Sequence, residues 1–256
     1  MTVAEVTQAF LDSEQYSSNS ILHYEAVYGE DFVSPGGRTM ARELIAKLGL
    51  KEGSKVLDVG CGLGGSAFLM AREFGLKVDG VDLSANMIEM ARSKLKAHKI
   101  EDRVCLELGD CLEINRQRSY DGIYSRDVFL HIQDKVRLFK MLHSVLRPQG
   151  RLLFTDYCCS EKPWSEGFAR YVEDRSYSLN TLPEYSEIIS DAGFGDVQCS
   201  DWTDRFIDIL RSDLQTISGL EIEDAARQKL EQGWREKLAR AESGFHKWGL
   251  FTAIRE

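Results

Sequence analysis

No stretch of the sequence approaches the roughly eighteen consecutive apolar residues of a membrane-spanning helix, so no membrane insertion is expected. Met1 to Asp12 carries Glu5 and no basic segment, so no secretory leader is expected either. Basic charge is also short: 41 acidic residues against 32 basic ones leave a net −9, which argues against nucleic acid as the main ligand. The six cysteines (Cys61, Cys105, Cys111, Cys158, Cys159, Cys199) form no C-x-x-C pair and have no zinc-type histidine spacing. They read as reduced thiols of a cytoplasmic protein, with no metal expected. Neither an internal repeat nor a linker interrupts the 256 residues, so one domain is expected; a monomer is expected as well. What is present is 43% hydrophobic residues, too many for a disordered chain and enough for one α/β core with a modest insertion.

The stretch Lys55-Val-Leu-Asp-Val-Gly-Cys-Gly-Leu-Gly-Gly-Ser66 organises the rest. Val56, Leu57 and Val59 form a β-rich run without helical period, which reads as a buried parallel strand. Four glycines (Gly60, Gly62, Gly64, Gly65) then lead into an amphipathic helix. An ordinary strand-to-helix turn needs one; four let a ligand approach the backbone where a Cβ would block it.

Gly60-x-Gly62-x-x-Gly65 satisfies the dinucleotide pattern, and Asp82 stands where a ribose hydroxyl would be held. Asp58, on the strand just before the glycines, would repel a pyrophosphate but welcome an ammonium. Asp110 closes a further strand and suits an adenine amino group. Three acids at three successive strand ends suit an amino acid–ribose–adenine ligand without phosphate, S-adenosylmethionine, and the pattern resembles the class I methyltransferases.

Strands are expected near 55–59, 77–81, 104–108, 122–124, 151–155 and 197–202, with a last antiparallel one at 246–254 forming the sheet edge. Helices are expected near 66–74, 85–98 and 135–146, then at 183–192, 205–216 and 223–241. This alternation implies a Rossmann-like α/β fold with a mostly parallel, seven-stranded sheet. Residues 1–37 are expected to form a helical lid, 38–157 the cofactor-binding core, and 158–256 the substrate-binding and C-terminal part. The segment 163–182 follows the fifth strand, the edge where an open sheet binds substrate, and is rich in Tyr, Trp, Phe and Arg.

Several further pieces lie outside the common core motifs: Glu14-Gln15-Tyr16, Tyr28-Gly-Glu-Asp-Phe-Val-Ser34, Tyr124-Ser-Arg-Asp127 with His131, and Thr155-Asp-Tyr157-Cys. So do Tyr171-Val-Glu-Asp-Arg175-Ser-Tyr177 and Lys247-Trp-Gly-Leu-Phe. Together, and essentially end to end, they resemble the phosphoethanolamine N-methyltransferases in their single-domain form. The resemblance implies methylation of phosphoethanolamine or its mono- and dimethyl forms toward phosphocholine, with S-adenosylhomocysteine as the other product. It also implies the roles that follow. Gln15, Tyr16, Val33 and Ser34 close over the cofactor. Asp58, Gly60 and Gly62 lie near its methionine part, Asp82 and Leu83 at the ribose, and Asp110 and Cys111 at the adenine. Arg126, Asp127 and His131 face the transferred methyl. Tyr157, Tyr171, Arg175, Tyr177 and Lys237 hold the substrate phosphate.

These roles make physical sense. The amine must be neutral to attack, and His131 suits the removal of its proton, with Tyr16 as hydrogen-bond partner and Asp127 as cation attractor or histidine orienter. Arg175 can grip phosphate with two parallel hydrogen bonds. The same residues permit blander readings: a helix-capping His131, half-buried packing tyrosines, and Arg175 as a surface ion-pair partner. A sterol or amino-acid methyltransferase, or a noncatalytic cofactor-binding protein, are the competing functions at this stage.

Overall fold

The structure is a computed structural model that describes residues 7–15 and 17–256, with the backbone alone for 14, 15 and 18. α1 (Gln8–Phe10), a π-helical turn (Leu11–Gln15) and α2 (Ser18–Tyr28) precede α3 (Gly37–Leu48). Strand and helix then alternate: β1 (Lys55–Val59), α4 (Gly65–Glu73), β2 (Lys77–Asp82), α5 (Ala85–His98), β3 (Val104–Leu108), β4 (Tyr120–Arg126), α6 (Lys135–Val145) and β5 (Leu146–Cys159). α7 (Glu166–Asp174) and α8 (Leu182–Asp191) lead to β6 (Phe194–Asp201). α9 (Thr203–Ser218) and α10 (Asp224–Glu242) lead to β7 (His246–Arg255).

Helix starts follow local chemistry. The Ser84 hydroxyl accepts from Met87 N–H, the Asp134 carboxylate from Arg137 N–H, and the Ser165 hydroxyl from Phe168 N–H. Thr181 and Glu184 form a reciprocal capping box at α8, with Pro183 in the first turn.

The seven strands run in the order β3-β2-β1-β4-β5-β7-β6. The first five are parallel to their neighbours, whereas β7 is antiparallel to both β5 and β6. β7 was expected at the edge, but it lies inside the sheet and β6 is the edge strand. Both sides of β7 are apolar enough to be covered, since Trp248, Phe251 and Ala253 are all buried. β6 instead alternates buried or half-buried with exposed positions, as an edge tolerates. β4 and β5 are also longer than the apolar runs suggested, because β4 pairs with β5 from Tyr120 to Arg126 and β5 keeps pairing with β7 as far as Cys159–His246.

Side-chain alternation splits the core in two. Val56, Leu153 and Tyr157 face α3, α4, α9 and α10, while Leu57, Val59, Leu152 and Phe154 face α6 and α8. The turns after β1, β2, β3, β4 and β5 all open at one end of the sheet, where open α/β sheets bind ligands.

Candidate active site

One cavity of about 500 Å³ opens at that end. Of the sixteen expected site residues other than Tyr16, Gln15 and Asp58, every one lines it: Val33, Ser34, Gly60, Gly62, Asp82, Leu83, Asp110, Cys111 and Arg126 on one side, then Asp127, His131, Tyr157, Tyr171, Arg175, Tyr177 and Lys237. Tyr16 lies outside the described residues, and Gln15 is described by its backbone alone.

The glycines divide their work. Gly60 and Gly62 line the cavity; Gly64 and Gly65 do not. At Gly65 an added Cβ would sit 2.4 Å from the Asp31 carbonyl oxygen, so that glycine admits the backbone of the 29–34 segment. Gly60 has φ +70, and a Cβ there would collide with Val128 at 2.2 Å, bringing the turns after β1 and β4 into contact.

Asp82 fixes this turn. Its two carboxylate oxygens accept from Gly62 N–H at 2.8 Å and Ser84 N–H at 2.9 Å. Burial pushes its pKa up, with those backbone donors opposing. Asp110 caps the short turn Cys111–Glu113 by accepting from Leu112 N–H at 2.8 Å. Asp12 closes the arrangement from the N-terminal side, accepting from the Ser84 hydroxyl and from Ala85 N–H at 3.3 Å.

Asp58 is deeper than its neighbours. It lies on a smaller pocket of about 30 Å³ that shares Val33, Ser34, Gly60, Gly62 and Arg126 with the main cavity. Only 2% of it is exposed, its Oδ2 has no partner among the described residues, and burial followed by Asp82 raises its pKa to about 7. A buried carboxylate oxygen without a donor suits a ligand ammonium. Arg126 closes the same pocket and donates to the Gly37 carbonyl at 3.1 Å and to the Pro35 carbonyl, tying the turn before α3 to β4.

Asp127 follows β4 in the left-handed region, φ +57. Its Oδ1 accepts from Trp248 Nε1 at 2.7 Å and Thr155 Oγ1 at 3.1 Å, while Oδ2 is buried without a partner among the described residues. The carboxylate is therefore anchored by β5 and β7 and does not orient His131; this arrangement suits cation attraction. His131 packs edge-on against Tyr177, ring centroids 5.3 Å apart. Burial first, then Lys135 and Arg175, lower its pKa to about 4, so the imidazole is already neutral at neutral pH.

The far end combines cations with rings. Arg175 is exposed at the rim, just past α7. Lys237 stands over the Trp234 ring at 5.0 Å and the Tyr157 ring at 5.9 Å; burial, then Arg240, bring its pKa down to about 8. Tyr24, Tyr28, Trp234 and Arg240 also line the cavity and were missed in the sequence. Arg240 stacks on the Tyr171 ring at 3.8 Å, with a buried Nε that has no partner among the described residues. Helical spacing was the available signal: Trp234, Lys237 and Arg240, like Tyr24 and Tyr28, recur every three or four residues.

The cysteines are unbridged, Cys105 exposed and Cys61, Cys111, Cys158 and Cys159 buried. Among the described residues no helix is long and apolar enough to cross a membrane.

Residues 50–211 match the family described as a methyltransferase domain. The chain is 44% identical over 255 residues to phosphoethanolamine N-methyltransferase 3 of Arabidopsis thaliana, covering 97% of this chain and 52% of that protein. It thus spans about half the length of the plant relatives it matches. With the phosphoethanolamine N-methyltransferase of Plasmodium falciparum it is 31% identical, covering 97% of this chain and 96% of the relative. A solved structure of Haemonchus contortus phosphoethanolamine N-methyltransferase 2, in complex with phosphomonomethylethanolamine and S-adenosylhomocysteine, superposes with a TM-score of 0.93 at 34% identity. That match covers 100% of this chain and 61% of the other.

Proposed function

The chain belongs to the phosphoethanolamine N-methyltransferase family, and we propose that it transfers a methyl group from S-adenosylmethionine to the amine of phosphoethanolamine, or of its mono- and dimethyl forms, toward phosphocholine. The observation that carries this reading is the cavity's polarity: acids at one end, Asp127 and His131 at the middle, and Arg175, Lys237 and Arg240 among rings at the other. An amine that also carries a phosphate fits between the last two.

The cofactor supplies an electrophilic methyl on a sulfonium whose sulfur leaves with the bonding pair. Asp58 would meet its ammonium, Asp82 and Leu83 its ribose, and Asp110 and Cys111 its adenine, with Gln15, Val33, Ser34 and Arg126 closing around it. The unpartnered Asp58 oxygen supports this fit. Tyr157, Tyr171, Arg175, Tyr177 and Lys237 hold the phosphate, which brings the amine to the middle of the cavity. Asp127 favours the incoming ammonium electrostatically. His131, neutral as the reaction requires, takes the proton that the amine gives up, and the resemblance assigns Tyr16 the role of its hydrogen-bond partner. Holding amine and methyl about 3–3.5 Å apart and in line supplies much of the rate.

We read the chain as one unit, with lid 1–37, cofactor core 38–157 and substrate part 158–256, acting as a cytoplasmic monomer without nucleic-acid or metal partners. The acidic balance supports the absence of a nucleic-acid partner. Incubation with labelled cofactor and each of phosphoethanolamine and its mono- and dimethyl forms tests it. Label in at least one product is expected; label in none, or equal labelling of ethanolamine without phosphate, overturns it.

A further inference from the structure

The wall that carries His131 and Tyr177 is backed by a buried ion that no step above uses. Lys135, the first residue of α6, is 4% exposed. Its ammonium donates to the Ile132 carbonyl and, at 2.9 Å, to the Ser178 carbonyl. Ile132 adjoins His131 and Ser178 adjoins Tyr177. Around this clamp the same two segments are cross-linked again: Ser178 N–H donates to the Leu130 carbonyl at 2.7 Å, and Gln133 Nε2 to the Ser176 carbonyl at 3.2 Å. Behind the ammonium lies Asp156, fully buried, which accepts from the Tyr185 hydroxyl.

Burying a lysine is costly, and a neutral side chain could fill the same space. What the ammonium adds is reach and direction. It draws two carbonyls from segments more than forty residues apart toward one point with charge-assisted hydrogen bonds. One segment carries the proposed base, the other a proposed phosphate ligand. Fixing both to one point fixes the spacing between the place where the proton leaves and the place where the phosphate is held.

We propose that Lys135 is a positioning residue for methyl transfer, its buried ammonium setting the His131 imidazole against Tyr177 through the Ile132 and Ser178 carbonyls. The inference rests on the functional reading above. It predicts that Lys135 acts through His131, and a double-mutant cycle reads that directly. Turnover is measured per site able to bind S-adenosylhomocysteine, so that misfolded protein does not count, in the wild type, Lys135→Met, His131→Ala and the double variant.

Lys135→Met is expected to lower turnover by about tenfold or more, since small misplacements of a reacting group carry such penalties. It should raise KM for phosphoethanolamine a few-fold through Tyr177 and leave S-adenosylhomocysteine affinity unchanged. In the His131→Ala background the same change should cost less than about twofold, and Lys135→Arg should retain more turnover than Lys135→Met. A lysine that only stabilises the fold predicts a lower melting temperature with turnover per site preserved, or losses that multiply in the double variant; either result overturns the proposal. Should Lys135→Met yield no folded protein, Lys135→Gln, neutral but still a donor, carries the same cycle with the same criteria. A wild type inactive on all three phosphobases sinks the functional reading itself, whereas an active wild type with a multiplicative cycle sinks only the role of Lys135.

Discussion

The two ends of the cavity are built in different ways. At the acid end, partners are near in sequence or on adjacent strands: Asp82 holds Gly62 and Ser84, Asp110 holds Leu112, and β1, β2 and β3 stand side by side. At the cation end, Tyr24, Tyr157 and Arg175 come from three separate segments and Lys237 and Arg240 from a fourth, α10. Their environments differ accordingly. At the acid end burial raises the Asp82 carboxyl while backbone N–H groups hold it, whereas at the cation end burial lowers the Lys237 ammonium. A site made of backbone donors keeps its shape when one side chain changes; a site made of distant side chains depends on the packing that gathers them.

Between the two ends lies the group with the largest expected effect. His131→Ala should cut turnover by about 10²-fold or more and leave both binding ends intact, read from steady-state rates beside titration calorimetry. Since His131 is already neutral well below pH 7, it contributes no rise in rate near neutrality. Any rising limb there belongs to the substrate ammonium and should persist in the variant. Near-normal turnover of His131→Ala would leave the enzyme a positioning device whose amine loses its proton to solvent.

Next in size is the acid end. Asp82→Ala removes charge-assisted hydrogen bonds worth about 1.5–3 kcal/mol each, so S-adenosylhomocysteine affinity should fall by about tenfold to a hundredfold. Because Gly62 and Ser84 also lose their acceptor, the melting temperature should fall with it. At the cation end, Arg175→Lys keeps the charge but loses the fork, and a rise in phosphobase KM of about tenfold is expected with cofactor affinity unchanged. Tyr177→Phe should do the same more weakly. A shared loss of cofactor affinity in the Arg175 variant would erase the distinction between the two ends.

Smallest are opposite trends of stability with pH. Asp58 is raised from 3.8 to about 7, so the folded state binds the extra proton and stability is lost as pH climbs between those values. Asp58→Asn should therefore gain on the wild type across that range. His246, fully buried with neither ring nitrogen hydrogen-bonded among the described residues, is depressed far below 6.5 by burial, then Arg240 and Lys237. Its stability contribution is present above 6.5 and lost on acidification, so His246→Phe should gain on the wild type as pH falls below 6.5. Melting temperatures across pH separate the two; parallel curves for both variants would contradict the assigned burial.

By itself the sequence determined the parts whose partners are close along the chain. β1, α5 and β3 begin and end where apolar period and caps place them, and Asp82 and Asp110 stand at strand ends because those strands end there. Motif resemblance reached Arg175 and Lys237, which no local rule distinguishes from surface charges. Tertiary structure alone decided the rest. β7 enters between β5 and β6 through antiparallel pairing, which strand periodicity does not encode. Gly65 makes room for the backbone of the 29–34 segment because Asp31 arrives from elsewhere in the chain. Asp127 is anchored by Trp248, 121 residues away, and the His131 pKa lies far below its ordinary value because the fold buries it and brings Lys135 and Arg175 near it. Spacing along a chain fixes period, caps and turn chemistry; burial and charge depend on what packs against a residue from elsewhere, and that exists only once the sheet has closed.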